Sequence, residues 1–333
     1  MIQLHVCPST LAEGFDTYSP SARKLLFDGN KVNHYMDMPS PNTDDIQIKE
    51  TLSNVGRISL SGAQPKFSVL VGEDRKLRYT KEGEQGTYIL KPRPNAYQIL
   101  NKDDCAANEH LTMQIAEQVY KIETAPNGIC FFSNDEMAYF TRRFDVAPNG
   151  GKYQQEDFAA LMGYTKINGG SDFKYLNGSY EECAEIINRY VKAARVDLLR
   201  FFRLIVFNFV SLNDDAHLKN FSLINRHDEY RLSPAYDLMN TSLHLVNSRI
   251  FALDKGLFRE GMTIKDTHSF GKKEFMEFGR RIGLPESLVQ RELERFSQDN
   301  PLIDSLIDKS FLSDALKKQY RDSMAYRRKM LTF

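Results

Sequence analysis

Tryptophan is absent from the 333 residues, cysteine occurs only four times, and neither charge is in excess, with 44 Lys and Arg against 44 Asp and Glu. That balance leaves no global positive excess to neutralise phosphates, so direct nucleic-acid binding would need a local basic patch, and none stands out. Cys7, Cys105, Cys130 and Cys183 are scattered singles without C-x-x-C spacing, which argues against a cysteine-based zinc site and suits a reducing cytoplasm. Long apolar runs are missing as well. The most apolar stretch, Leu204 to Leu212, is broken by Asn208 and Ser211 and is about half the roughly 20 residues of a membrane span. No charged segment followed by an apolar one opens the chain, so neither a secretory leader nor membrane attachment is expected. What is present is 41% hydrophobic and 11% aromatic residues at a mean hydropathy of −0.47, enough for a large buried core.

Residues 1–55 hold Ser19-Pro20, Pro39-Ser40-Pro41-Asn42 and Asp44-Asp45 with weak periodicity between them, the pattern of a loop-rich N-terminal arm with one short helix near Ser21–Phe27. Residues 56–145 change to short β-like runs. Lys66–Val71, Lys76–Thr80 and Thr87–Lys91 are joined by Gly72-Glu73-Asp74 and Gly83-Glu84-Gln85-Gly86, which predicts an antiparallel meander. Leu111, Ile115 and Val119 form the stripe of an amphipathic helix over Asn108–Tyr120. Asn134-Asp135 reads as the turn of a further hairpin, Gly128–Ser133 with Glu136–Thr141. Residues 146–333 read as a helical lobe. It starts with a turn-rich connection over Val146–Gly178, followed by helices over Tyr180–Ala194 and Val196–Leu212, and a hairpin around Arg226-His227-Asp228. Helical patterning resumes past Lys272. The class is therefore α+β, a small sheet-rich lobe followed by a larger helical one, with a cleft between them as the favoured place for a ligand.

The strongest chemical signal is D-x-H-x-x-N, formed by Asp215, His217 and Asn220 between the apolar helix and the next strand, with Asp237 following the hairpin. Phosphoryl transfer needs a carboxylate to orient the attacking hydroxyl and oxygen ligands for hard Mg²⁺ ions on the nucleotide phosphates. Asp215 suits the first role, while Asn220 and Asp237 suit the second. The same Asp-to-Asn separation occurs in the catalytic loop of protein kinases. Lys91 ends an apolar strand run and Glu109 opens the next helix, a pairing that can hold nucleotide phosphates. The segment Arg57-Ile58-Ser59-Leu60-Ser61-Gly62-Ala63-Gln64-Pro65-Lys66 could cover those phosphates with Gly62 backbone, serine hydroxyls and Lys66 charge. Phe140 and Phe144, near the lobe junction, are the candidate contacts for adenine.

Taken singly, each of these residues is as well explained as a cap, turn or surface residue. Their combination behind a wholly apolar helix favours phosphotransfer. Within that class the acceptor could be a protein, a small molecule or a lipid. Outside it, Asp214, Asp215, His217 and Asp237 could form a metal-dependent hydrolase site, or the chain could be a nucleotide-binding pseudokinase scaffold.

The segments RISLSGAQPKFSVLV, YILKP, NEHLTMQIAEQ, RRFDV, QEDFAALMG, NDDAHLKNFSLI and LSPAYDL together resemble the HipA family of bacterial serine/threonine kinase toxins, and in particular its short HipT-like branch. The resemblance runs from about residue 57 to 238. It implies a bilobal, protein-kinase-like (HipA-like) fold and an ATP- and Mg²⁺-dependent protein serine/threonine kinase of toxin–antitoxin type. It also implies Asp215 as catalytic residue, Asn220 and Asp237 as Mg²⁺ ligands and Lys91 as the ATP-phosphate lysine; the residues themselves add His217 to the catalytic pair and Glu109, Gly62, Gln64, Lys66 and Phe144 to the nucleotide side. Ser59 and Ser61 match the family's autophosphorylated loop in its doubled S-x-S form. A phosphate there would add roughly −1.5 to −2 charges beside the nucleotide. The family further implies an aminoacyl-tRNA synthetase as the substrate, a HipB-like DNA-binding antitoxin as a partner, and a small HipS-like protein supplying an N-terminal subdomain. Arg142 departs from the pattern, standing where HipA has an acidic residue, and this puts the hinge contacts to adenine in question.

Overall fold

The computed structural model describes residues 2–41, 64–148, 150–246, 249–263 and 270–333. Arg57, Ser59, Ser61 and Gly62, and with them the phosphate-covering loop read from the sequence, lie outside the described residues.

The N-terminal arm carries helix α1 (Pro20–Phe27), which starts where Pro20 fits the first turn and the Ser19 hydroxyl accepts a hydrogen bond from the Ala22 amide at 3.2 Å. Strands β1 (Phe67–Val71), β2 (Leu77–Tyr79) and β3 (Tyr88–Lys91), helix α2 (Cys105–Gln118), and strands β4 (Asn127–Phe131) and β5 (Met137–Arg142) follow. The five strands form one antiparallel sheet in the order β2-β1-β3-β5-β4. The meander expected from the sequence would place β2 in the middle, whereas β1 takes that position. The chain leaving β2 crosses to the far edge of β1 at Gly86, where a Cβ would stand 2.1 Å from the Ser68 hydroxyl. A Cβ there would also press on the Val69 carbonyl at 3.0 Å, so glycine suits this passage, and the next amide, Thr87, donates to that carbonyl at 3.1 Å.

Helix α1 lies on one face of this sheet. Tyr18, Ala22, Leu26 and Phe27 pack with Tyr88, Leu90 and Phe140 in a separate apolar cluster. Arg142 reaches across to α1, donating to Asp28 from both terminal nitrogens at 2.8 Å and to the Leu25 carbonyl at 3.1 Å. Its cation therefore closes the C-terminal end of α1, a favourable place for positive charge.

Helix α2 lies on the other face. The sequence reads as amphipathic, but Cys105 to Ala116 is buried on every side, because the helix is enclosed between the sheet and the C-terminal helices. Thr112 and Tyr320 share a hydrogen bond at 2.9 Å across that second contact. His110 is fully buried in α2, and its Nε2 meets the Ser9 carbonyl at 2.7 Å. Burial pushes its pKa down to about 4. The unfolded chain therefore takes up a proton near pH 6.5 that the folded chain refuses, so stability rises with pH across the window between those values. Acidification from pH 6.5 to 4 should remove up to about 3 kcal/mol through this residue. Thermal melts across that range should show the loss for the wild type and a shallower one for His110→Gln, whose amide can still donate to Ser9.

The second part of the chain begins with β6 (Gln155–Asp157), the short helices α3 (Phe158–Leu161), α4 (Lys166–Gly169) and α5 (Phe173–Leu176), and helices α6 (Tyr180–Tyr190) and α7 (Ala194–Val210). Strands β7 (Ser222–Arg226) and β8 (Glu229–Leu232) precede helices α8 (Lys272–Arg281), α9 (Glu286–Ser297), α10 (Pro301–Lys309) and α11 (Asp314–Met330). The stretch over 146–178, read as a connection, contains β6, which extends the β7–β8 hairpin into a sheet ordered β6-β7-β8. Helix α7 is central: Phe201, Phe202 and Leu204 to Val210 are all buried, as its lack of a polar face requires. Among the described residues, no helix is long and apolar enough to cross a membrane, and all four cysteines are buried and unpaired.

Candidate functional site

Helix α7 ends at Ser211, and Leu212 turns the chain with a left-handed φ of 55° into the polar loop 213–220. The loop is held by its own side chains. Asn213 donates to the Asn208 side-chain oxygen at 2.9 Å and accepts from the Asp215 amide at 3.3 Å. Asn220 Nδ2 donates to the Asp215 carbonyl at 2.8 Å, and Tyr180 donates to the Ala216 carbonyl at 2.9 Å. These bonds satisfy backbone groups that a buried loop would otherwise leave orphaned. They also fix the Asn220 amide so that Nδ2 serves the loop and Oδ1 is the atom left for another ligand.

The segment after β8 is fastened to the same loop and to α2. The Thr241 hydroxyl donates to the Leu212 carbonyl at 2.7 Å and accepts from the Asp214 amide at 3.1 Å. Asn108 of α2 exchanges two hydrogen bonds with the Asn240 backbone, at 2.8 and 3.0 Å. Three residues before these fastenings Asp237 sits at a left-handed φ of 55°, which costs a non-glycine residue energy and occurs mostly where the surroundings impose it.

Lys91, the last residue of β3, is 2% exposed, an unusual state for lysine. Its ammonium donates to Glu109 Oε1 at 2.6 Å and to Asp237 Oδ1 at 2.5 Å. Burial works to lower its pKa, but the two carboxylates outweigh it and hold the pKa above the usual lysine range, so the group is charged. Glu109 is buried in α2, and burial pushes its carboxyl up to about 7 even with Lys91 pulling the other way. Among the described residues its Oε2 has no hydrogen-bond partner. Buried ion pairs of this kind add little net stability because desolvation offsets the attraction, so stability alone does not account for the cluster.

Lys66, just before β1, reaches Asp237 Oδ2 at 3.3 Å, and Gln64 donates to the Pro92 carbonyl at 2.9 Å. One cavity is lined by Gln64, Lys91, Glu109, Asn213, Asp215 and Asp237 with Met239 and Thr241. The structure thus brings together Gln64, Lys66, Lys91, Glu109, Asp215 and Asp237 from distant parts of the sequence, with Asn220 tied to Asp215. His217 is buried in the same loop, with its ring edge-on to Tyr175 at 5.0 Å. Burial pushes its pKa down to about 4, so it is neutral at pH 7.

Some residues lie elsewhere than the sequence suggests. Phe140 points away from the lobe junction into the cluster with Tyr18 and Phe27, at 6.1 and 6.0 Å between ring centroids. It cannot touch a ligand in the cavity. Phe144 is not displaced in this way: it is half-buried against Tyr236, the neighbour of Asp237, at 5.6 Å, with its carbonyl accepting from Arg226 at 3.1 Å. Arg142 is engaged with α1, so its charge is neutralised by Asp28 on that side. Asp214, counted in a possible hydrolase site, accepts from the Arg249 amide at 2.7 Å. Tyr175 is the residue that sequence reasoning missed. Its buried hydroxyl donates to Asp215 Oδ1, and nothing in the pattern of 146–178 marked it.

Asp237 and Asn220 offer hard oxygen donors suited to Mg²⁺. Among the described residues no cluster of three or more His, Cys, Asp or Glu side chains has metal-holding geometry. Two such donors fit a cation that completes its shell with water and phosphate oxygens, the usual manner of Mg²⁺, better than an all-protein cage.

A family model described as the HipA-like C-terminal domain matches residues 58–301. A candidate kinase of Haemophilus influenzae is 28% identical over 336 residues, covering 94% of this chain and 93% of its own. The candidate kinase Y4dM of Sinorhizobium fredii is 28% identical over 273 residues, and the match spans 77% of this chain but 62% of that protein. Among solved structures, HipA of Shewanella oneidensis, determined with HipB and operator DNA, superposes with a TM-score of 0.62 at 18% identity over 88% of this chain and 73% of that one.

Proposed function

The chain belongs to the HipA-like C-terminal domain family, in which its relatives carry the kinase designation and its fold is that of HipA, and from that premise we propose that it is an ATP- and Mg²⁺-dependent protein serine/threonine kinase of toxin–antitoxin type. The observation that carries this reading is the Lys91 ammonium, buried between Glu109 and Asp237 at 2.6 and 2.5 Å, in a cavity that Asp215 also lines. A metal-dependent hydrolase acting on a neutral substrate does not require a lysine so placed. A phosphotransferase needs one to hold phosphate oxygens, with a helix carboxylate to hold the lysine.

Nucleotide and metal together supply an electrophilic phosphoryl group with its charge neutralised. The chain's own residues do the rest. Lys91 holds phosphate oxygens, steered by Glu109. Asp237 and Asn220 would hold the cation through their side-chain oxygens. Asp215 accepts the hydrogen bond of the acceptor hydroxyl and orients its lone pair. Gln64 and Lys66 close the phosphate side, Gly62, which lies outside the described residues, is a further proposed contact there, and Phe144 is the proposed contact on the adenine side. The neutral His217 keeps the base of the loop packed.

Ser59 and Ser61, in the loop leading to Gln64 and Lys66, are the proposed sites of autophosphorylation. An aminoacyl-tRNA synthetase is the proposed substrate class, and a HipB-like antitoxin with a small HipS-like subunit the proposed partners. The complex of the Shewanella relative with HipB supports the former partner. Incubation of the purified protein with Mg²⁺ and γ-labelled ATP should place label on the peptide containing Ser59 and Ser61, with the matching gain in intact mass. Protein that binds ATP, arrives unphosphorylated and gains neither label nor mass would overturn the autophosphorylation.

A further inference from the structure

We propose that Tyr175 is a positioning residue for phosphotransfer, holding the Asp215 carboxylate in the one orientation that meets the acceptor hydroxyl; this rests on the kinase reading. Asp215 projects from a loop whose hydrogen bonds fix the main chain. The Tyr175 hydroxyl acts on the carboxylate itself, donating to Oδ1 and so resisting its rotation.

Tyr175 is itself closely packed. Its side chain is fully buried, its ring packs edge-on against His217 at 5.0 Å, and its carbonyl accepts from the Asp254 amide at 3.0 Å. The ammonium of Lys174 caps the ring at 5.1 Å. A buried phenol needs an acceptor, and many would serve. Here the acceptor is the one carboxylate of the D-x-H-x-x-N loop, reached from α5, a separate element. A hydroxyl on that carboxylate could instead compete with the substrate's own. The burial of the ring argues against it, since a competitor must leave and Tyr175 has nowhere to go.

The test is the single-turnover rate of label transfer from γ-labelled ATP with Mg²⁺ into the full-length protein, at saturating ATP, with ATP affinity measured separately. Tyr175→Phe should lower the rate about tenfold or more, as loss of near-attack alignment does, with ATP affinity unchanged because Lys91, Glu109 and Asp237 are untouched. Installing 3-fluorotyrosine at position 175 keeps both ring and donor and should retain the wild-type rate. An unchanged or faster Tyr175→Phe rate would overturn the proposal, the faster one in favour of competition. A fluorotyrosine protein as slow as the phenylalanine variant would also overturn it, since packing and not the hydrogen bond would then matter. Wild-type protein that arrives unphosphorylated, binds ATP and transfers nothing would overturn the autophosphorylation and this inference together, an outcome distinct from the other two.

Discussion

Replacing Lys91 by methionine should cut phosphotransfer by about 10²–10³, the usual cost of removing one preorganised electrostatic contact, while the protein still folds. Methionine keeps the length and apolar character of the stem, so the packing of β3 survives. What is lost is the charge between two carboxylates, and breaking a buried pair can cost about 3–5 kcal/mol because a charge is left uncompensated. The site has two ways to limit that cost. Glu109, whose carboxyl burial already pushes up to about 7, can take a proton when the ammonium is gone. Asp237 still faces Lys66 at 3.3 Å. A melt should therefore show a lowered but cooperative transition beside an almost complete loss of labelled product and weakened ATP binding. A metal-dependent hydrolase predicts the opposite, with most activity surviving, so retention of turnover would sink the kinase reading. Glu109→Gln should be milder, since Lys91 keeps Asp237 as a partner.

The parts of this site that are legible in the sequence are those set by local spacing. Asp215, His217 and Asn220 lie within one loop, and a loop short enough to be tied by its own bonds, such as Asn220 to the Asp215 carbonyl, keeps that spacing in space. Lys91 is legible because an apolar strand run delivers it and Pro92 ends the run. The lobes follow from the change from short, turn-bounded β-like runs up to Lys91 to the long helical stretches of α6 and α7.

Illegible features depend on what packs from elsewhere. Helix α2 carries Asn108, Glu109, His110, Thr112 and Gln114, all buried, and its polar positions conceal that burial until Asn240, Lys91, Ser9, Tyr320 and Asn127 arrive as their partners. The position of β1 between β2 and β3 goes with a chain crossing at Gly86, which in sequence is one more turn glycine. Phe140 alternates correctly along β5, but the choice of face rests on α1, which packs there. Tyr175 belongs to a four-residue helix, too short for any period, and its role is visible only through its contact with Asp215.

Asp215→Asn should lower transfer by about 10²–10⁴, the range that a positioned acid–base group contributes, and should leave ATP affinity as it was. The substitution keeps the shape of the side chain and an oxygen that can still accept from Tyr175, so the loop and its neighbours stay in place. What disappears is the negative charge that draws the acceptor hydroxyl's proton and the ability to receive it. The paired readouts then separate the two ends of the site. Lys91→Met should weaken nucleotide binding and transfer together, because its ammonium meets phosphate in both the ground state and the transition state. Asp215→Asn should weaken transfer alone, because its carboxylate meets only the acceptor. If Asp215→Asn instead lost ATP affinity in step with transfer, the carboxylate would belong to the metal and phosphate side. The acceptor would then have to be oriented by another group in the cavity, and Asp215 would lose its role as the orienting carboxylate while the role of Lys91 stood.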